Sequence, residues 1–160
     1  MMLRALVVGY ICIATLGSIQ RPVSHLENGA RIFLHGITAQ GRIVQNSHGM
    51  EGVGCAMCHG EHGQGGTMHG ILAPNITFSV LSDPKGLEDP RGRKRPAYNE
   101  ESVKAAIVAG IDAGGNTLDP EMPRWTGLTR QDMEDVIGYL KALGKSRGGA
   151  GSDSAGTEGI

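Results

Sequence analysis

Two cysteines and a histidine stand within the segment Cys55–His59, which reads Cys-Ala-Met-Cys-His. Two thiols at this spacing on one helical turn reach the two vinyl groups along one side of a porphyrin and form thioethers there. The histidine that follows places an imidazole beneath the iron as an axial ligand. The segment therefore predicts one covalently attached c-type haem, held by Cys55 and Cys58, with His59 on the iron.

Two other chemistries use similar residues. A zinc site needs four ligands, so the motif would need His62 or His69 as the fourth. A thioredoxin-like disulfide centre needs a βαβ pattern around the two cysteines, and no alternating strand pattern holds for any length of this sequence. Covalent haem attachment requires export, and the N-terminus has an export pattern of its own, so two independent features favour haem.

Residues 1–18 have the pattern of a secretory signal peptide. Arg4 supplies a positive charge, an apolar run follows from Ala5 to Leu16, and small residues come next. The run is about a dozen residues long, whereas a helix that spans a bilayer needs ~20. We expect an exported, periplasmic protein, and the alternative is membrane association through an uncleaved N-terminus. Cys12 lies in the apolar run and is expected to leave with it.

One domain is expected over residues 24–145. Residues 146–160 are mostly Gly, Ser, Ala and Thr, which bury too little apolar surface to become ordered, so we expect a disordered tail. Aromatic residues make up 4% of the chain and glycines number 26, which leaves few large side chains for a core. A large apolar cofactor at the centre would fill that core. The net charge of −1 gives no basis for nucleic acid binding.

Three helical patterns are present. The first runs from about Leu26 to His35, the second from about Glu100 to Ala109, and the third is expected to stop at Gly144. Helix caps are expected at Ser24, Asn99 and Thr129.

Long connections rich in glycine and proline separate these helices, over residues 36–54, 60–98 and 111–127. Loops of this length in a compact domain usually carry function or wrap a ligand. We therefore predict an all-α architecture, with three main helices and long Gly/Pro-rich loops wrapped around one covalent haem. The sequence assigns no role to loops 36–54 and 76–98.

The ligand on the other face of the iron is expected to be methionine or histidine. Met122 is favoured, because Pro120 and Pro123 stiffen its loop and lower the entropy lost when one side chain is presented to a metal. Other methionines of the mature chain are less suited by position: Met50, Met57, Met68 and Met133. Ligation by two histidines stays open through His25, His35, His48, His62 and His69.

Two side chains that follow Met122 are further candidates for haem contact. Trp125 and Arg124 either donate hydrogen bonds to haem propionates, or the indole packs against the haem or the last helix while the guanidinium lies in solvent. A basic run before the second helix consists of Arg91, Arg93, Lys94 and Arg95. It either attracts an acidic redox partner or is a solvated loop.

Over residues 26–144 the chain resembles class I cytochrome c. The resemblance rests on Cys55–His59, Ala73–Asn75, Met122–Pro123 and a last helix with Tyr139–Leu140. The arrangement around Met-Pro-Arg-Trp resembles bacterial monohaem cytochromes.

This resemblance implies thioethers at Cys55 and Cys58 and iron ligation by His59 and Met122. Pro74 resembles the proline whose carbonyl accepts the proton of the haem histidine and thereby fixes its tautomer.

The resemblance also implies a helix crossing and a function. Gly29 and Phe33 in the first helix, with Tyr139 in the last, resemble the residues at which two helices cross in that fold. With both axial positions filled, no substrate is expected at the iron, and the protein would be a one-electron carrier between a redox protein donor and acceptor, not an enzyme. Alternatives are a haem subunit of a dehydrogenase complex, or a ligand-binding or peroxidase-like haem protein with a labile sixth ligand.

Overall fold

The computed structural model of the chain describes residues 23–68, 70–88 and 93–145. The expected signal peptide at 1–18 and the expected tail at 146–160 lie outside these residues. Across the described part of the chain, no helix combines the length and the apolar character needed to cross a membrane.

Among the described residues, five helices and two small antiparallel sheets form the fold. The helices are α1 (His25–His35), α2 (Ala56–His59), α3 (Phe78–Leu81), α4 (Glu100–Ala109) and α5 (Arg130–Lys145). The strands are β1 (Gly66–Met68), paired with β2 (Ile71–Ala73), and β3 (Leu87–Glu88), paired with β4 (Arg93–Lys94). The three predicted helices are present as α1, α4 and α5, but the all-α prediction is incomplete. The strands have two or three residues each, which is too short to produce an alternating pattern in the sequence.

Polar caps fix the starts of the three long helices. Asn99 and Ser102 form a reciprocal capping box at α4. At α5 the Thr129 amide donates to the Asp132 carboxylate over 3.0 Å, and the Asp132 amide donates to the Thr129 hydroxyl over 3.1 Å. The Ser24 hydroxyl accepts a first-turn amide of α1. Each cap satisfies backbone donors that the helix leaves free, and all three predicted caps are confirmed.

The sequence pattern predicts that the last helix ends at Gly144. In the structure α5 continues to Lys145. A Cβ at Gly144 would lie 3.1 Å from the Ser79 hydroxyl oxygen and 3.3 Å from the Ser79 amide nitrogen. The glycine therefore permits close packing of α5 against α3 and does not terminate the helix.

Helices α1 and α5 cross at a glycine. A Cβ at Gly29 would overlap the Asp135 carbonyl oxygen and would lie 3.1 Å from the Tyr139 Cβ. Beside this point the rings of Phe33 and Tyr139 pack with their centroids 5.4 Å apart and their planes at 54°. The crossing that the resemblance implied is therefore confirmed.

The buried apolar side chains form a shell around a central cavity of about 740 Å³. Shell residues that are buried and also line the cavity are Phe33, Leu81, Tyr98, Val103, Ala106, Ile107, Trp125, Val136 and Leu140. They come from α1, α3, α4, α5 and the connections between them. The shortage of large side chains in the sequence thus corresponds to a large space at the centre of the fold.

Gly29→Ala should lower the free energy of unfolding of the mature protein by about 1–3 kcal/mol, because the new methyl group forces α1 and α5 apart. Urea unfolding followed by circular dichroism measures this. The matched control is Gly138→Ala, since a Cβ at this glycine in the middle of α5 meets no atom within 4 Å. The control should raise the free energy of unfolding by about 0.5–1 kcal/mol through helix propensity. Equal effects of the two substitutions would contradict the close crossing.

Candidate functional site

The motif Cys55–His59 is a single helical turn that packs closely against α1. The amides of its last two residues donate to the Cys55 carbonyl over 3.2 and 3.0 Å, which places both thiols and the imidazole on one turn. Just before the turn, a Cβ at Gly54 would overlap the Phe33 carbonyl oxygen. The α1 helix therefore sets the position of the motif.

The imidazole of His59 is buried, and one hydrogen bond fixes its orientation. Its Nδ1 lies 2.8 Å from the Pro74 carbonyl oxygen, which can only accept, so Nδ1 carries the proton. The β1–β2 hairpin makes this contact possible, because the pairing of Gly66 with Ala73 returns the chain to the motif. Burial lowers the pKa of His59, and the hydrogen bond with Pro74 opposes this only in part. A neutral imidazole with its proton on Nδ1 leaves Nε2 available to bind a metal.

No disulfide joins Cys55 and Cys58 in the structure. Burial raises the pKa of Cys55 to about 12, against the opposing effect of a backbone hydrogen bond, and the charge of Cys58 adds to the rise. Burial also raises the pKa of Cys58. Redox-active cysteine pairs depend on a lowered thiol pKa, so the structure does not support a disulfide centre.

All six predicted site residues line the central cavity. They are Cys55, Cys58, His59, Pro74, Met122 and Trp125. His59 and Trp125 are buried, and the other four are half-buried. Most of the remaining lining is apolar, so the cavity combines an apolar interior with a few groups that bond to metal or to a porphyrin.

The connection that carries Met122 is tied to α4 on both sides of this residue. The Leu118 amide donates to the Gly110 carbonyl over 2.8 Å, and the Trp125 amide donates to the Ile107 carbonyl over 3.0 Å. These bonds restrict the positions that the Met122 side chain can reach.

Loop 36–54 runs along this same connection. The Ser47 amide donates to the Arg124 carbonyl, and the Ser47 hydroxyl accepts from the Arg124 amide, both over 2.9 Å. Nε2 of His48 lies 3.1 Å from the Pro120 carbonyl oxygen. The loop therefore braces the connection. No local pattern marks Ser47 in the sequence, because its contact spans 77 positions along the chain.

The guanidinium of Arg124 does not lie free in solvent, which was one of the two predictions for it. It donates to the carbonyl oxygens of Leu118, Asp119 and Met122. Arg124 is not among the residues that line the cavity, so the structure also gives no support to a propionate contact.

The prediction that Arg95 belongs to an exposed basic run is wrong. Its side chain is 6% exposed, lies 4.6 Å over the ring of Tyr98, and donates to the Leu81 carbonyl at the end of α3 over 3.0 Å. Tyr98 and Leu81 both line the cavity, so this part of loop 76–98 closes one of its sides. Of the other basic residues, Lys94 is exposed and Arg91 lies outside the described residues.

The other methionines differ in their relation to the cavity. Three of them line it: Met50, Met57 and Met68. The sulfur of Met68 lies 3.9 Å from the Cys58 sulfur, so Met68 stands beside the motif. Met133 is buried within the α5 stripe, away from the cavity, as predicted.

Among the described histidines, only His48 joins His59 in the cavity lining. His25 is directed to the other side of the helices, where its Nδ1 lies 2.8 Å from the Asp135 carboxylate. Exposed histidines away from the cavity are His35 and His62, and His69 lies outside the described residues. No group of three or more His, Cys, Asp or Glu side chains in the described ranges is placed to hold a metal, so a zinc site completed by His62 has no support there.

A small helical domain in which a Cys-x-x-Cys-His turn opens onto a large apolar cavity has the features of a c-type haem protein. The sequence model of the family described as Cytochrome c matches residues 27–144. The match covers more than half of the chain, and the chain therefore belongs to the cytochrome c family. Comparison with curated proteins and with solved structures gives no match.

Members of this family carry one covalent c-type haem with iron, and the cavity fits that group. Its volume of about 740 Å³ lies within the range of roughly 300–1,000 Å³ that is common for ligand sites. The thiols of Cys55 and Cys58 and the imidazole of His59 stand together in its wall, and the apolar lining suits a porphyrin.

Pro74→Ala should preserve the orientation of His59, because the acceptor is a backbone carbonyl that alanine also supplies. We expect an unchanged visible spectrum and a loss of less than about 1 kcal/mol in the free energy of unfolding. Gly65→Ala should disturb the orientation of His59, since a Cβ there would lie 2.7 Å from the Ala73 carbonyl oxygen and 3.1 Å from the Pro74 carbonyl carbon. The measurement is the slowly exchanging imidazole N–H signal in the NMR spectrum. Its loss in Pro74→Ala and survival in Gly65→Ala would contradict this account.

Proposed function

We propose that the protein is an exported, periplasmic one-electron carrier of the class I, bacterial monohaem type. Its haem is attached through Cys55 and Cys58, and its iron is ligated by His59 and Met122. The observation that carries this proposal is the hydrogen bond between His59 and Pro74 in the wall of a cavity that Met122 also lines. The proposal that the protein is exported rests on the signal-like sequence of residues 1–18. It agrees with covalent haem attachment, which takes place after export.

The state of His59 supports its assignment as the proximal ligand. A buried neutral imidazole whose Nδ1–H is engaged by the Pro74 carbonyl presents one free nitrogen, Nε2. The same bond raises the basicity of Nε2 and holds the ring against rotation. The imidazole of His59 is therefore preorganised to bind a metal through Nε2.

The position of Met122 supports its assignment as the sixth ligand. Its side chain is half-buried in the cavity lining, and backbone bonds to α4 flank it on both sides. Pro120 and Pro123 further restrict the chain around it. The competing Met57 and Met68 lie within or beside the motif, on the side of the thioethers.

Trp125 is proposed to form part of the haem-binding wall. The indole is 4% exposed, lines the cavity and follows directly after the Met122–Arg124 segment. Its backbone amide is held by the Ile107 carbonyl, so the ring has a fixed base on α4. A large planar side chain at this position packs against the planar cofactor and excludes water.

The proposed chemistry is outer-sphere electron transfer. When bound, the haem supplies a one-electron iron couple. Ligation by His59 and Met122 leaves no iron position for a substrate, and a thioether ligand favours the reduced form and raises the potential. The apolar lining acts in the same direction, because it disfavours the extra positive charge of the oxidised form.

Electron donors and acceptors are expected to be redox proteins that meet the protein at the open rim of the cavity. Two apolar side chains of the lining are exposed there, Met57 at 40% and Leu72 at 43%. An exposed apolar rim lets a partner approach the cofactor without trapping water between them.

The test is the visible spectrum of the mature protein, ferric and then ferrous with carbon monoxide, compared with that of Met122→Leu. We expect the wild type to show the weak long-wavelength band of iron–sulfur ligation and to resist carbon monoxide. Met122→Leu should lose the band and bind carbon monoxide, because leucine cannot ligate iron. Met50→Leu and Met68→Leu are matched controls from the same cavity and should keep both properties.

Other outcomes would each favour a different function. Loss of the band in Met50→Leu or Met68→Leu, but not in Met122→Leu, would move the ligand to that methionine. A wild type without the band whose carbon monoxide resistance is lost in His48→Gln would indicate two histidine ligands. A wild type that binds carbon monoxide readily would favour the ligand-binding or peroxidase-like alternative. Stable co-purification with a larger oxidoreductase would favour the dehydrogenase subunit.

A further inference from the structure

The guanidinium of Arg124 is surrounded by carbonyl groups of the chain that carries Met122. One of its terminal nitrogens donates to the Met122 carbonyl oxygen. The other donates to the carbonyl oxygens of Leu118, over 3.2 Å, and of Asp119, over 3.4 Å. One cation therefore connects three peptide groups along a five-residue stretch that ends at Met122. The contact with the Met122 carbonyl directly restrains the backbone of Met122.

The guanidinium packs against Gly110 at the end of α4. Gly110 caps this helix with φ of +67°, and a Cβ on Gly110 would overlap the guanidinium of Arg124. The positive φ favours glycine here, and the absence of a Cβ leaves the space that the arginine occupies. The carbonyl of Gly110 also accepts the Leu118 amide over 2.8 Å. Gly110 therefore contacts both the Arg124 guanidinium and the start of the Leu118–Met122 stretch.

The backbone of Arg124 is held from a third direction. Its amide and its carbonyl are both bonded to Ser47 over 2.9 Å. Arg124 thus joins α4, loop 36–54 and the chain leading to Met122. Because its backbone is held by Ser47 and its guanidinium packs against Gly110, the Arg124 side chain can hold the carbonyl groups that it binds in place.

We propose that Arg124 is a positioning residue that holds Met122 at the iron. This inference rests on the proposed function, in which Met122 is the sixth ligand. The guanidinium fits the role because its planar fork offers several donors in fixed directions, whereas lysine offers one mobile ammonium group. Without the fork, the carbonyls of Leu118, Asp119 and Met122 lose a shared partner, and the Met122 sulfur leaves the iron more often.

The test compares Arg124→Gln, Arg124→Lys and Gly110→Ala with the wild type. The first readout is the rate at which the ferrous protein binds carbon monoxide, which reports how often Met122 leaves the iron. The second is hydrogen exchange of the Met122 amide, which donates to the Asp119 carbonyl over 3.1 Å and reports on the chain without involving iron. Arg124→Gln should accelerate both by about tenfold, the order of magnitude expected for a charge-assisted hydrogen bond. Gly110→Ala should act in the same direction, because a Cβ there displaces the guanidinium and strains the residue that accepts the Leu118 amide.

Arg42→Gln is the matched control. Arg42 also donates to a carbonyl of this connection, that of Gly127 over 2.7 Å, and pairs with Asp132. Its loss should lower the free energy of unfolding while leaving carbon monoxide binding and Met122 amide exchange unchanged. Arg124→Lys keeps the charge and should stay close to Arg124→Gln, because the fork geometry is lost.

The outcomes separate this inference from the proposed function. If Met122→Leu leaves the long-wavelength band in place, Met122 is not the ligand, and both claims are overturned. If Met122→Leu removes the band but Arg124→Gln binds carbon monoxide at the rate of the wild type, only the positioning role is overturned. Equal acceleration in Arg42→Gln and Arg124→Gln would also overturn it, since general destabilisation would then explain the effect.

Discussion

The fold depends on filling an apolar space that its own side chains leave open. The cavity of about 740 Å³ is walled by the residues that would form the core of an ordinary small domain. Without a cofactor, these side chains would lack packing partners on one side and would lose the dispersion contacts that stabilise a native interior. The helices of the chain are therefore arranged around this space, and the proposed attachment at Cys55 and Cys58 would keep a haem in it.

Two separate sets of contacts support the two residues proposed to bind iron. The side of His59 depends on the close approach of α1 to α5 and to the motif, and on the carbonyl of Pro74. The side of Met122 depends on α4 and on loop 36–54, which meets the chain through Ser47. Loop 36–54 joins the two supports, because Gly54 at its end packs against the Phe33 carbonyl oxygen beside the motif.

Much of the site could be predicted from the sequence because its signals are local. The Cys-x-x-Cys-His spacing, the prolines around Met122 and the caps at Asn99 and Thr129 each act within a few residues. The burial of Arg95 could not be predicted, because it depends on how loop 76–98 folds back onto the end of α3. The bracing by Ser47 could not be predicted, because its contact spans 77 positions along the chain. The close contact of Gly144 with Ser79 could not be predicted either, because α3 lies far from α5 along the chain. Local chemistry identifies the haem residues, whereas the residues that position them emerge only from tertiary packing.

The most direct test of the central claim is an NMR spectrum of the reduced protein in which the methionine methyl groups are labelled. A methionine bound to haem iron lies over the face of the porphyrin, so the ring current shifts its methyl protons far upfield. The account predicts one such methyl signal, with nuclear Overhauser contacts to Pro123 and Trp125, its neighbours in the sequence. Three results would contradict ligation by Met122: an upfield methyl in contact with Cys58, which lies beside Met68, one in contact with Asn46, whose side-chain amide donates to the Met50 carbonyl, or no upfield methyl at all.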